Sequence, residues 1–290
     1  AGMKLYFERH DGSAVTCDHF AQAMADANPA SDLARLLPQF KRWYSQAGTP
    51  QVRAEGVYDE AARTYTLTLS QSCLPTPGQA SKEPFVIPVS LGLLSADGQP
   101  LPLQLAHWTQ PETGSRTFVL TQASESFTFV NLDSAPVPSL LRGFSAPVVL
   151  SCDYTDAQLL TLLAADPDPF NRWEAGQRLA LRYALQAVRA DGAVATDILP
   201  GDFVAALRDV LRHPTLDAAY KDLVLTLPAE SYMAEQLDVV DPQRIHAVRE
   251  SMRQQLAEAL QADWGWAFDT HSATGAYQPD PISSGRRALT

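Results

Sequence analysis

The chain has 290 residues, 46% hydrophobic and 19% charged, with 22 basic and 33 acidic side chains and a net charge of -11. This is globular composition with enough length for about two domains, and it excludes disorder as the dominant state. The acidic balance argues against a nucleic-acid surface and against docking on an anionic membrane, and no run approaches the ~20 apolar residues of a membrane span.

The charge is uneven. Residues 151–290 hold 12 basic and 20 acidic side chains, so they carry most of the excess. A plain acidic surface explains this, and attraction of a basic or amine-bearing ligand is the sharper alternative. Cys17, Cys73 and Cys152 are widely spaced, without a CxxC pair. That pattern fits reduced thiols rather than a disulfide framework or a zinc ribbon. Ala1 to Phe7 lacks the charged leader and apolar stretch of a signal peptide.

Residues 1–45 read as helical. Thr16 is placed to cap an Ala-rich helix over 18–26, and Asn28-Pro29 breaks it. Ser31 or Asp32 caps a second helix, with a kink or restart expected at Pro38. Phe40, Trp43 and Tyr44 share a face of its continuation. Residues 50–150 change to strands, expected at 52–57, 64–69, 85–94, 101–103, 116–121, 126–130 and 148–150. In 64–69 the threonines alternate with Tyr65, Leu67 and Leu69, and Asp97-Gly98 marks a hairpin turn. The prolines of 75–88 and 136–147 are read as lying between runs or at their edges. About seven short strands in 100 residues describe an antiparallel β-sandwich. Residues 151–290 return to helices, expected at 155–163, 171–190, 202–211, 216–225, 230–237 and 241–261, stacked with short connections as in a solenoid. Trp173, Gly176, Ala180, Tyr183, Ala184 and Ala187 define one face of the longest.

Catalytic motifs are missing: the sequence contains no HExxH, P-loop, GxSxG or helix-opening GxGxxG. Histidines 10, 19, 107, 213, 246 and 271 are scattered. His10, His19, Asp11 and Asp18 form a weak candidate metal set, set against ordinary hydrogen-bonded histidines. Glu8-Arg9-His10-Asp11-Gly12 reads either as an acid/base cluster or, preferably, as the end of a first helix with Gly12 near its cap. Cys17 as a nucleophile lacks a suitably placed base, since His19 two residues on faces elsewhere. Arg42-Trp43-Tyr44 and Trp264-Gly265-Trp266 are read as packing elements in preference to ligand shelves.

Particular blocks go further than periodicity. Leu5 to Asp18 (LYFERHDGSAVTCD), Arg42 to Pro50 (RWYSQAGTP), Tyr65 to Gln71 (YTLTLSQ), Phe144 to Val148 (FSAPV), Leu225 to Pro228 (LTLP), Met233 to Glu235 (MAE) and Asp241-Pro242 occur in order along the chain. Together they resemble the bacterial aminopeptidase N (alanyl aminopeptidase) family, zinc metallopeptidases of the gluzincin type. The resemblance implies an internal fragment of a longer hydrolase. Residues 1–45 would be the last helices of a thermolysin-like catalytic domain, 46–152 a β-sandwich, and 153–290 the first part of a helical domain. On this view Ala1-Gly2 enters mid-domain, and Gly285 to Thr290 starts a further helix. The family's HExxH helix, its distant glutamate ligand, its GxMEN-type loop and its intermediate-stabilising tyrosine have no counterpart in this chain. No catalytic, cofactor-binding or metal residue is therefore carried over.

The resemblance further implies zinc in the parent protein and none in this fragment, a cytoplasmic setting, and peptides and the missing domains as partners. Nucleic acid and membrane are not among the expected partners. The role expected for the segment is scaffold and active-site cover. Two rivals remain: a stand-alone β-sandwich/helical interaction module without enzymatic activity, and an enzyme with an unfamiliar site around His10, Asp11 and Cys17.

Overall fold

The computed structural model describes residues 1–272 and 275–290. The chain divides into two compact units, one of residues 1–95 and 100–153, the other of 96–99 and 154–290.

The first unit opens with α1 (Gly2–His10), α2 (Cys17–Asp26), α3 (Asp32–Phe40) and the single turn α4 (Arg42–Ser45). Thr16 precedes α2, and its backbone N–H donates to His19 Nδ1 at 3.1 Å, the return bond of a capping box. Ser31, not Asp32, is the N-cap of α3, its hydroxyl accepting from the Ala34 N–H. Helix α3 does not break at Pro38. It runs on to Phe40, and the restart comes four residues later at α4. Proline in the last turn removes a single ladder bond, which a helix about to end tolerates better than a long one does.

The sandwich has eight strands: β1 (Gln51–Asp59), β2 (Thr64–Ser72), β3 (Ile87–Leu94), β4 (Pro100–Leu101), β5 (Arg116–Leu120), β6 (Ser124–Phe129), β7 (Val137–Leu140) and β8 (Val149–Cys152). One sheet has the order β6-β2-β1-β8. In the other, β3 pairs with β4, β5 and β7. Pairing is antiparallel except for β8, which runs parallel to β1 with Val52 opposite Leu150. The alternation of 64–69 works as read. Tyr65, Leu67 and Leu69 are buried, while Thr66, Thr68 and Ser70 hydrogen-bond across to Thr128, Ser126 and Ser124 at 2.8–2.9 Å on the other face. Strand β7 falls in the proline-rich stretch taken to lie between runs, and Pro88 and Pro138 sit inside strands. Pro88 lies where β3 pairs only with β5, and Pro138 lies on the edge strand β7, opposite Leu93, which also faces Leu101 of β4.

Trp43 of α4 packs against this core, its indole 4.8 Å from the Phe85 ring and its Nε1 donating to Val86 O at 2.9 Å. Gln39 donates to Pro84 O and Thr121 O, and Gln46 and Glu83 exchange two bonds of 2.7 and 2.9 Å.

The second unit is helical: α5 (Asp156–Ala165), α6 (Pro169–Arg189), α7 (Gly201–Arg212), α8 (Ala218–Leu225), α9 (Glu230–Ala234), α10 (Pro242–Ala259), α11 (Gln261–His271) and α12 (Pro281–Leu289). Side-chain caps start most of them. Thr155 accepts from Gln158 N, Asp168 from Asn171 N, Asp217 from Tyr220 N and Asp241 from Arg244 N. Proline at the first helical position follows Asp168, Asp241 and Asp280. Several boundaries differ from expectation, and the helix expected at 230–237 stops at Ala234. The helix expected to run to 261 ends at Ala259, and a separate α11 follows a bend at Leu260 (φ -110°, ψ 18°). Gly285 to Thr290 is the end of α12, not the start of a helix, because Asp280 caps it from Pro281. On α6 the buried face runs through Ala175, Leu179 and Val188 as well as Gly176, Ala180, Tyr183 and Ala184, leaving Trp173 only half-buried.

Candidate functional site

The candidate residues of the N-terminal segment lie on α1, α2 and the turn between them. His10 and His19 do meet, with ring centroids 5.1 Å apart in an edge-on contact. Tyr6 and Phe20 extend this into an aromatic seam, 5.2 Å apart. The other members are engaged locally. Glu8 pairs with Lys4 along α1, Arg9 with Asp26, and Asp18 with Lys41 at 3.1 Å. Asp11 is the C-cap of α1, and Gly12 follows at φ +70°, the left-handed turn that a glycine takes without steric cost. His19 Nδ1 already takes the Thr16 N–H. Among the described residues no three His, Cys, Asp or Glu side chains converge as a metal site would require, so this donor set does not fit a zinc ion. Cys17 is exposed and stands at the first position of α2.

The tryptophan motifs serve packing. Trp43 is held on the sandwich as described above. Trp264 Nε1 donates to Leu256 O at 3.3 Å. Trp266 lies under the Arg212 guanidinium at 4.3 Å, with Lys221 Nζ 5.6 Å from its ring and His271 edge-on at 5.9 Å. Arg212 and Arg208 converge on Asp263 at 2.7 and 3.0 Å, so this cationic belt has a carboxylate at its centre.

One apolar recess in the helical unit is a cleft of about 560 Å³ between α6, the turn from α8 to α9, and α10. One strip of α6, at spacing i, i+1, i+4, i+5 and i+8 from Trp173, forms one wall. Leu223, Leu227 and Tyr232 form much of the opposite side. The turn is tied to α6 by Gln177 Nε2, which donates to Thr226 O at 2.8 Å, and to α10 by Arg249 Nε, which donates to Pro228 O at 3.0 Å. Glu174 faces this recess, and burial pushes its carboxyl above the usual range, offset only in part by Arg178. Sequence reading missed the cleft. The one signal available was an acid beside Trp173 on α6.

With this geometry in view, comparison with known proteins places the chain. Aminopeptidase N of Escherichia coli (strain K12) is 41% identical over 259 residues, covering 89% of this chain and 29% of that protein. The aminopeptidase N of Haemophilus influenzae is 39% identical over 96% of the chain, and that of Caulobacter vibrioides 39% over 99%, each with 31% of its own length matched. The chain is a homologue of one part of aminopeptidase N. It spans about 30% of the length of these aminopeptidase N relatives. Two domain families match within it: "Domain of unknown function (DUF3458) Ig-like fold" over residues 48–153, and "Domain of unknown function (DUF3458_C) ARM repeats" over 156–290. The sandwich followed by stacked helices also aligns with a crystal structure of Legionella pneumophila aminopeptidase A in complex with aspartic acid. The TM-score is 0.78 and the identity 24%, over 99% of this chain and 31% of that one, a likeness of fold.

Proposed function

We propose that this chain is a non-catalytic part of a zinc aminopeptidase that removes N-terminal residues from peptides. Residues 1–45 would be the closing helices of its catalytic domain, 46–152 a spacer sandwich, and 153–290 the beginning of a helical domain that covers the active site and limits peptide entry. The observation that carries this reading is the match of 39–41% identity along nearly the whole chain to less than a third of each aminopeptidase N. Zinc bound elsewhere in such an enzyme would supply Lewis-acid activation of water. The described residues offer no fitting donor set and take no step of that reaction. The chain's partners are then the remaining domains of the same polypeptide and, through them, peptide substrates. Nucleic acid is disfavoured by the charge of -11. Among the described residues no helix is long and apolar enough to cross a membrane, and a cytoplasmic setting is part of the proposal.

The test is hydrolysis of alanyl p-nitroanilide by the purified chain, with metal content measured alongside. Neither turnover nor stoichiometric zinc is expected, and adding the upstream part of the gene should restore both. Chelator-sensitive turnover by these 290 residues alone would overturn the reading.

A further inference from the structure

We propose that the helical unit holds a small inorganic anion of chloride size beside Trp266, gripped by Lys221 Nζ and His271 Nε2. Both groups border that one indole. Lys221 Nζ lies 5.6 Å from the ring centre, and the His271 ring stands edge-on at 5.9 Å. Lys221 is 2% exposed and, among the described residues, makes no hydrogen bond or ion pair. His271 Nε2 is buried and has no hydrogen-bond partner either. Lysine is almost never fully buried unless paired, and an unmatched charge in a packed interior is costly. The indole face offsets only part of that cost. An anion between the two groups answers both deficits, since an ammonium and the N–H of a neutral imidazole are both donors.

The neighbouring carboxylates are engaged elsewhere. Asp263 is shared between Arg208 and Arg212, and Asp217 caps α8 by accepting from Tyr220 N at 2.9 Å. Asp217 favours the charged amine of Lys221 from a distance, but burial outweighs it and holds that amine below its usual range. Burial, then Lys221 and Arg286, press His271 below the ordinary histidine range, which keeps its ring neutral. Burial, then Arg172 and Lys221, do the same to His213. The charges acting on both histidines are therefore positive, although the unit as a whole is acidic. A recess of about 580 Å³ between α8 and α12 provides a way in from solvent, with His271 in its wall and the exposed Arg286 at its rim. Depth selects the occupant: an ion reaching a nearly fully buried ammonium sheds its water, and a singly charged, weakly hydrated anion does so at the least cost.

This inference is independent of the peptidase reading, and its readouts involve no peptide. The 290-residue chain is melted in sodium chloride, sodium phosphate and sodium gluconate at constant ionic strength, and the chlorine-35 NMR line of chloride is recorded with and without protein. Chloride should raise the unfolding temperature by several degrees over gluconate in a saturable way, as a ligand of the folded state does. The chlorine line should broaden with the unaltered chain. Lys221→Met should abolish both effects. In gluconate it should melt at or above the unaltered chain, because an unmatched buried charge has been replaced by an apolar side chain. Phosphate matching chloride, with the response lost in Lys221→Met, would support the site and extend it to oxyanions. Identical melting in all three salts, an unbroadened chlorine line, or a chloride response that Lys221→Met retains would each overturn the proposal. Should Lys221→Met fail to fold, the chloride–gluconate comparison and the chlorine line of the unaltered chain decide.

Discussion

Gly92 in β3 is predicted to be irreplaceable for a reason outside its own strand. A Cβ built there would meet the Arg142 guanidinium, 2.0 Å from one nitrogen and 2.3 Å from its central carbon. That guanidinium is buried and bonded to Ser139 Oγ at 2.7 Å and Ser115 Oγ at 3.0 Å, and Ser139 is itself fully buried. Gly92→Ala would normally gain about 0.5–1 kcal/mol in a strand through reduced backbone entropy. Here it displaces the guanidinium, losing two hydrogen bonds from a charged donor at about 1.5–3 kcal/mol each. The expected net loss is about 3–5 kcal/mol, as large as a severe core truncation. A double-mutant cycle separates this from a generic strand effect. In an Arg142→Met background the side chain that must move is gone, and Gly92→Ala should cost less than ~1.5 kcal/mol. Urea denaturation monitored by hydrogen exchange of β3 amides reads the sandwich separately from the helical unit. Equal cost of Gly92→Ala in both backgrounds, or a cost below ~1 kcal/mol in the parent, would refute the reasoning.

Three further outcomes are expected. Thr155→Ala should destabilise the helical unit by about 1 kcal/mol, since it removes the hydroxyl that accepts from Gln158 N while the backbone N–H of residue 155 keeps its bond to Gln158 Oε1, and chemical denaturation measures it. Asp263→Asn should cost about 1–3 kcal/mol, discounted because Arg208 and Arg212 are both some 40% exposed. Burial raises the Asp263 carboxyl, but its bonds to Arg212 and Arg208 outweigh that and hold it below the ordinary range. Its stabilisation is therefore complete above the unfolded value near ~3.9 and is lost as pH falls through the depressed folded value, so the deficit of Asp263→Asn should shrink in melts below about pH 4. Trp43→Phe keeps most of the ring packing on Phe85 but loses the bond to Val86 O, and should cost about 1 kcal/mol with faster exchange of the α3–α4 amides.

The features legible in the linear chain are those whose physics is local. Caps at Thr16 and Ser31 act on N–H groups within three residues, so residue order alone implied them, with Asp32 left open beside Ser31. The alternation of 64–69 likewise fixes which side chains face inward once a strand forms. The family resemblance was legible because blocks such as YTLTLSQ keep residue identity as well as pattern. Tertiary structure alone decided the rest. Strand β7 carries a proline and four buried residues in a row, so it has no alternation to read and exists only through β3. β8 runs parallel to β1 across nearly a hundred residues of sequence. The contact of His10 with His19, the seat of Arg142 over Gly92 and the half-buried Glu174 all arise from elements brought together by burial of distant apolar faces. Periodicity names the face of a helix or strand that is buried, but the partner across that face is selected by the packing of the whole unit.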